Sequence, residues 1–229
     1  MENKLLVIIP ARGGSKRIPK KNIKKFLGKE IIRYPIEAAS NSKLVSHVIV
    51  STDCEEIKNI ALESGALVPF MRSGKNSDDF ATTFDVIKEV VDRIGNEYDY
   101  ICCIYPTSIF VTSEMIDEAI DMLLSNSEAT SIASVLEYTH PIQRALSIKG
   151  SYLSSNHPEF YNCRSQDLEK NYHDAGQFYI FNVARVMEEK RLITTNCLPF
   201  IIDGNLAQDI DNLCDWNLAE IKYGRLVGK

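Results

Sequence analysis

Short apolar runs alternate with helix-period stripes along most of this chain, and few folds accommodate that. Residues 5–9 (LLVII) are apolar at every position, as a strand buried on both faces must be. Residues 31–39 place apolar side chains at 31, 32, 36, 38 and 39, a helical spacing, and 47–51 (HVIVS) predict a second strand. A helix over 55–64 ends at Gly65, and a short third strand is expected at 66–70. Val86, Ile87, Val90, Val91 and Ile94 form one stripe of a helix over 84–94. Residues 100–105 (YICCIY) predict a buried strand, 115–124 a helix capped by Thr112 or Ser113, and 130–136 another strand. Such alternation predicts an α/β fold: a mostly parallel, Rossmann-like sheet flanked by helices.

The rhythm breaks between 139 and 168, a polar stretch with Pro141 and Pro158. Residues 145–148, Gly150 and 152–153 suggest a small hairpin there. This segment is expected to be an insertion in a single domain spanning 1–229, covering a site or meeting a partner subunit. The main pattern resumes with a strand at 177–181, a helix at 183–189, a strand at 200–202 and a last helix at 213–226.

The chain is acidic overall, at −5, yet seven of its 26 Lys and Arg residues fall within 12–25 with no acid among them. These are Arg12, Lys16, Arg17, Lys20, Lys21, Lys24 and Lys25. A nucleic-acid binder spreads basic residues over a face and interleaves aromatics, so no nucleic-acid partner is expected. A compact anion such as a polyphosphate fits better; the plain alternative is a solvated basic loop. No apolar run is long enough to cross a bilayer, and the run at 5–9 is too short for a signal peptide. The six cysteines form no CxxC pair and the four histidines no HxxxH, so free thiols, a cytoplasmic location and no zinc site are expected.

The cations sit on a glycine turn directly after the first strand, in "IIPARGGSKRIPKKN". Strand, glycine pair and lysines make a phosphate-loop layout, because glycine lets backbone N–H groups approach an anion. The loop is neither GxxxxGK[ST] nor GxGxxG, which argues against an ATPase or a dehydrogenase. A long loop wrapping a nucleoside triphosphate remains, with Arg12 and Lys21 neutralising phosphates and Asn22 bonding base or ribose.

Here a resemblance becomes specific. "IIPARGGSKRIPKKNIKKFLGKEII" resembles the signature of the acylneuraminate cytidylyltransferases, the CMP-sialic acid synthetases. The likeness continues through "VIVSTD" at 48–53, "MRSGKNSDDFATT" at 71–83, "YPTS" at 105–108, "RSQDL" at 164–168 and "QDIDNLCDWNLAE" at 208–220. "HDAG" at 173–176, with Tyr105 where the family commonly has Gln, is similar to the branch that acts on pseudaminic acid.

The resemblance implies an enzyme that transfers CMP from CTP to the anomeric hydroxyl of a nine-carbon acidic sugar and releases pyrophosphate. Pseudaminic acid is the expected acceptor, with sialic or legionaminic acid as alternatives. It implies nucleotide contacts at Arg12, Gly13, Gly14, Ser15, Lys21, Asn22, Arg72, Thr82 and Thr83. Thr82 and Thr83 equally suit capping of the next helix, and Arg72 an ordinary loop charge. Asp209 and Asp211, two apart at the end of an apparent strand, face one side and suit Mg²⁺ or Mn²⁺; Asp211 alternatively caps the last helix. Arg164, with Lys21, Asp209 and Asp211, completes the catalytic set, its guanidinium matched to the sugar's carboxylate. A surface arginine paired with Asp167 or Glu169 is the plain alternative. Tyr105, Thr107, Gln166, His173, Asp174 and Tyr179 are expected to shape the sugar pocket. Asp53 lines the site or caps the next helix. A homodimer is expected, with Arg164 serving a neighbour's site. A nucleotide-binding module without turnover is the rival of a different class.

Overall fold

The computed structural model describes residues 4–95 and 97–228. In chain order the elements are β1 Leu5–Pro10, β2 Lys25–Phe26, β3 Lys29–Glu30, α1 Arg33–Asn41, β4 Val45–Ser51 and α2 Glu55–Glu63. They continue with α3 Thr83–Ile94, β5 Tyr100–Ile104, α4 Ser113–Leu124, β6 Ser131–Glu137, β7 Leu146–Lys149 and β8 Tyr152–Ser155. The last are β9 Tyr172–Asn182, α5 Val183–Glu189, β10 Cys197–Ile201 and α6 Leu213–Leu226.

Six strands form one sheet in the order β10-β6-β9-β5-β1-β4. β1 runs parallel to β4 and β5, β10 parallel to β6, and β9 antiparallel to both β5 and β6. Successive side chains of a strand point to opposite faces, so β1 feeds two cores at once. Leu5, Val7 and Ile9 pack with Ile36, Ala39, Ile116 and Ile120 on one face. Leu6 and Ile8 pack with Ile87, Val90, Phe181 and Val186 on the other. That double burial is why the first strand is apolar throughout. Among the described residues no helix is long and apolar enough to cross a membrane.

A third cluster lies outside the sheet and matters most for the site. Ile18 and Phe26, from the basic segment and the β2–β3 ribbon, pack with Ile210, Trp216 and Ala219 near and on α6. Phe26 meets Tyr34, Trp216 and Tyr223 edge-on, with ring centroids 5.5–5.9 Å apart. Lys24 lies over the Trp216 ring at 5.2 Å. The basic loop is thereby fastened to the C-terminal helix, about 190 residues away in sequence.

Several local expectations are corrected. The first helix begins at Arg33 rather than 31, with Pro35 in its first turn, where a missing N–H breaks no intrahelical bond. Residues 66–70 form only one bridge, Leu67 against Ile49, because Pro69 lacks the donor that would extend the ladder. β9 starts at Tyr172, five residues before its apolar core, so His173 and Asp174 are strand residues. Thr112, not Ser113, caps α4. All six cysteines are free thiols; Cys102 and Cys103 are buried, which pushes the Cys103 thiol up to about 12, whereas Cys214 is exposed in the first turn of α6. Residues 139–168 add no strand to the main sheet, and β7 and β8 pair only with each other.

Candidate active site

The chain leaves β1 at Pro10 and wraps a loop over the carboxyl end of the parallel strands, where open α/β sheets bind ligands. Gly13 donates its N–H to Asp53 Oδ1 at 2.8 Å. A Cβ at Gly13 would stand 2.9 Å from Cys54 Cβ, so close packing against the start of α2 requires glycine there. Gly14 has no such constraint, as a Cβ would meet nothing within 4 Å. Asp53 therefore anchors the loop, whereas the N-cap position of α2 is Cys54. Asn22 is only 7% exposed, and its amide donates to Arg12 O at 2.9 Å, bracing the loop from within.

A cleft of about 510 Å³ opens against this loop. Arg12, Ser15, Lys16, Arg17, Lys21 and Asn22 line it, together with Arg72, Thr82, Thr83, Tyr105, Thr107 and Asp209. Acidic residues Asp78 and Asp79 line it too, and they engage the cations. Arg12 Nη1 pairs with Asp79 at 3.0 Å and donates to Asp78 O at 2.8 Å. Lys16 also pairs with Asp79, and Lys16 first, then Arg12, hold that carboxyl below its ordinary range. Arg72 is no loop charge: at 6% exposure its guanidinium donates to Ser51 Oγ (3.1 Å) and Ser51 O, tying the end of β4. Burial lowers its pKa. Thr82 caps α3 in a reciprocal box with Asp85, and Thr83 Oγ1 lies 3.0 Å from Tyr105 OH.

A second cavity of about 670 Å³ shares Tyr105 and Asp209 with the first. Its wall includes Tyr138, His173, Asp174, Gly176, Tyr179 and Lys222. A bulge in β9 creates that wall: Ala133 pairs with Tyr179 and Val135 with Asp174, so β9 takes five steps where β6 takes two. Gly176 absorbs the excess at φ 60°, in the left-handed region that favours glycine. Ser134 Oγ accepts the freed N–H groups of Gln177 (3.3 Å) and Phe178 (3.1 Å). The bulge lets Tyr179 OH reach the Asp174 carboxylate at 2.6 and 2.8 Å. Burial, then Tyr105 and Asp174, drive the Tyr179 pKa far upward, so this phenol stays protonated. Tyr105 meets Tyr179 edge-on at 5.9 Å, and Tyr138 faces His173 at 4.9 Å.

Asp209 and Asp211 flank Ile210, which is wholly buried in the third cluster. Contrary to expectation no strand ends here; burial of Ile210, rather than a ladder, orients the pair. Lys21 reaches this segment from the glycine loop, donating to Ile210 O at 2.6 Å with Asp211 at 3.9 Å. Arg17 pairs with Asp211 at 2.6 Å. Although Asp209 stays open to solvent along part of its surface, partial desolvation and then the charge of Asp211 raise its pKa. Desolvation lowers that of Lys21 against the pull of both aspartates. Asp211 does not cap α6, since Asn212 and Asp215 form that box. Among the described residues no group of three His, Cys, Asp or Glu is poised for a metal ion. Two mutually repelling carboxylates beside a polyanion-sized, cation-lined cleft nevertheless fit Mg²⁺, which typically takes one or two carboxylates and completes its shell with phosphate oxygens.

With that geometry in view, comparison with known proteins is informative. The cytidylyltransferase family model matches residues 6–195. The chain belongs to the cytidylyltransferase family. It is 39% identical to a pseudaminic acid cytidylyltransferase of Campylobacter jejuni, over 96% of each chain. It is 31% identical to a CMP-N,N'-diacetyllegionaminic acid synthase of Legionella pneumophila, over 95% of each chain. Its fold matches a CMP:2-keto-3-deoxy-manno-octonic acid synthetase solved with CTP, with TM-score 0.71 at 15% identity, covering 97% of this chain and 99% of that one.

Within this cytidylyltransferase, the residues read from sequence divide into four groups, apart from Gly13 and Gly14, which shape the loop without lining either cavity. Arg12, Ser15, Lys21, Asn22, Arg72, Thr82, Thr83 and Thr107 line the first cavity, and His173, Asp174 and Tyr179 the second. Tyr105 and Asp209 line both, and Asp211 stands beside them through Arg17 and Lys21. Arg164 and Gln166 lie exposed at a short 3₁₀ turn between β8 and β9 and line neither cavity. The structure thus does not bring these two to the site within one chain. Sequence reasoning missed Asp78 and Asp79 as partners of the loop cations, although the adjacent acids in "NSDDF" were visible. It also missed Tyr138 and Lys222, which carry no local signal.

Proposed function

We propose that this cytidylyltransferase transfers CMP from CTP to the anomeric hydroxyl of a nonulosonic acid, with pseudaminic acid as acceptor. The observation that carries the reading is the pair of cavities meeting at Tyr105 and Asp209, one cation-lined and one walled by tyrosines, His173 and Asp174. The triphosphate lies against Arg12, Lys16, Arg17 and Lys21, and the sugar against the β9 bulge. The anomeric oxygen attacks the α-phosphorus, the bond to the β-phosphate oxygen breaks, and pyrophosphate leaves with the electron pair; the hydroxyl proton passes to solvent or base. Lys21 and its neighbours offset charge gathering on the departing phosphates. Mg²⁺ or Mn²⁺ held by Asp209 and Asp211 supplies further charge neutralisation when bound. The similarity to the Campylobacter jejuni enzyme favours pseudaminic acid, and that to the Legionella pneumophila synthase keeps a legionaminic acid as second acceptor.

Pyrophosphate release from each of the four nucleoside triphosphates, with pseudaminic, legionaminic and sialic acids in turn, tests this. Fastest release with CTP and pseudaminic acid is expected; no release with any nonulosonic acid refutes it. We also read this enzyme as a homodimer. Leu146, Ile148, Tyr152, Leu153 and Tyr161 of the insertion are exposed together, an apolar grouping suited to a second copy, and Arg164 on the same insertion would reach a neighbour's site. Light scattering coupled to size exclusion checks it, and a fully active monomer contradicts it.

A further inference from the structure

Lys222 has no role in the reading above, yet its position is specific. The second cavity is lined by three carboxylates, Glu137, Asp174 and Asp209, and by one lysine, Lys222, projecting from α6. Glu137 is paired with Lys170 at 2.9 Å, and Asp174 accepts bonds from Tyr179 OH and Gly176 N–H. An acid brought into such a cavity is repelled unless a cation offsets those charges.

Lys222 is the cation in place. Its Nζ donates to Gly204 O and Ala207 O, both at 2.9 Å. Gly204 and Ala207 themselves line the cavity, so the ammonium sits in the cavity wall. An ammonium has three N–H donors, and these neutral carbonyls take two. Ala207 is two residues from Asp209, which lies at the boundary with the phosphate cleft. In a 2-keto sugar acid the carboxylate and the reacting hydroxyl share one carbon, so both must lie near that boundary. Arg164 of the same chain lines neither cavity.

We propose that Lys222 receives the carboxylate of the acceptor sugar and sets the enzyme's requirement for an acid. This rests on the acceptor being a nonulosonic acid, as argued above. Lys222 orients the anomeric hydroxyl toward the α-phosphate by fixing the group beside it, with Gly204 and Ala207 holding the ammonium in place.

The test compares the acidic sugar with its C1 carboxamide as substrates for wild type, Lys222→Met and Lys222→Gln. The Gln variant can still donate to the two carbonyls and guards against loss of fold in the Met variant. Both variants should lose about 10- to 100-fold in kcat/KM on the acid, mostly through KM, as expected for removing a charged hydrogen bond. On the carboxamide both should lose far less, about 3-fold at most, because the charge that Lys222 pairs with is gone, and KM for CTP should not move. Equal losses on acid and carboxamide would reduce Lys222 to a structural brace and overturn the proposal, as would an unchanged KM for the acid. Absence of wild-type turnover with any nonulosonic acid would instead overturn the functional reading on which it rests.

Discussion

The phosphate cleft draws four of its five lining cations, Arg12, Lys16, Arg17 and Lys21, from one continuous stretch, with Arg72 as the fifth, whereas the second cavity is assembled from residues at 105, 136–139, 173–179, 204–209 and 222. The first uses long cationic side chains on a loop, Lys16 and Arg17 exposed and Arg12 and Lys21 partly covered, already engaged by Asp79 and Asp211. The second uses a strand bulge, the buried phenol of Tyr179 and a lysine fixed on carbonyls. A triphosphate is flexible and highly charged, and a run of adjustable cations can follow it. A sugar is distinguished by shape and single hydroxyls, which only side chains held by a sheet can discriminate.

The largest expected effect lies where the two cavities meet. Asp209→Asn should lower turnover by about 100-fold or more, as when a charge-stabilising group is removed, with a much smaller change in CTP binding. Unchanged steady-state rates would remove Asp209 from the chemistry. The same change should raise Tm at neutral pH. A folded-state carboxyl pKa above its unfolded value makes the folded state bind more protons, so stability falls as pH rises through that window. The gain in Tm should therefore be full at neutral pH and vanish as pH falls through the raised pKa toward the ordinary carboxylate range.

On the phosphate side, Arg72→Met should cost about 2–3 kcal/mol of folding stability, because Ser51 O loses its buried charged donor. Urea titration reads it, and a loss below about 0.5 kcal/mol would mean that the guanidinium is replaceable by packing. On the sugar side, Tyr179→Phe removes the bond to Asp174 and should raise KM for the sugar about 10-fold, leaving KM for CTP in place. A shift in both constants would blur the division. Smallest is Asp79→Asn. Exposed ion pairs contribute up to about 1 kcal/mol, so freeing Arg12 and Lys16 should tighten CTP binding by no more than about 5-fold, with weaker binding as the contrary result.

The same contrast governs what the sequence could reveal. The double-sided burial of β1, the capping of α3 and α4 and the basic glycine loop are local patterns, and each was legible. The β9 bulge was not, because it is a mismatch of register between β6 and β9 that neither strand shows alone. The pairing of Asp78 and Asp79 with loop cations joins residues more than 60 apart, and the bond by which Asn22 braces the loop on Arg12 O is a backbone contact with no sequence signal. Asp209 and Asp211 were visible as a motif, but their orientation depends on Ile210 entering the cluster under Trp216. Lys222 is one lysine on a helix; only the fold brings it to a cavity with three acids.

Calorimetric titration of CTP, with magnesium present, against wild type, Lys21→Met and Tyr179→Phe tests the division of labour most directly. The account predicts that Lys21→Met loses most of the affinity, while Tyr179→Phe binds CTP as wild type does. Retained affinity in Lys21→Met, with loss in Tyr179→Phe, would contradict it.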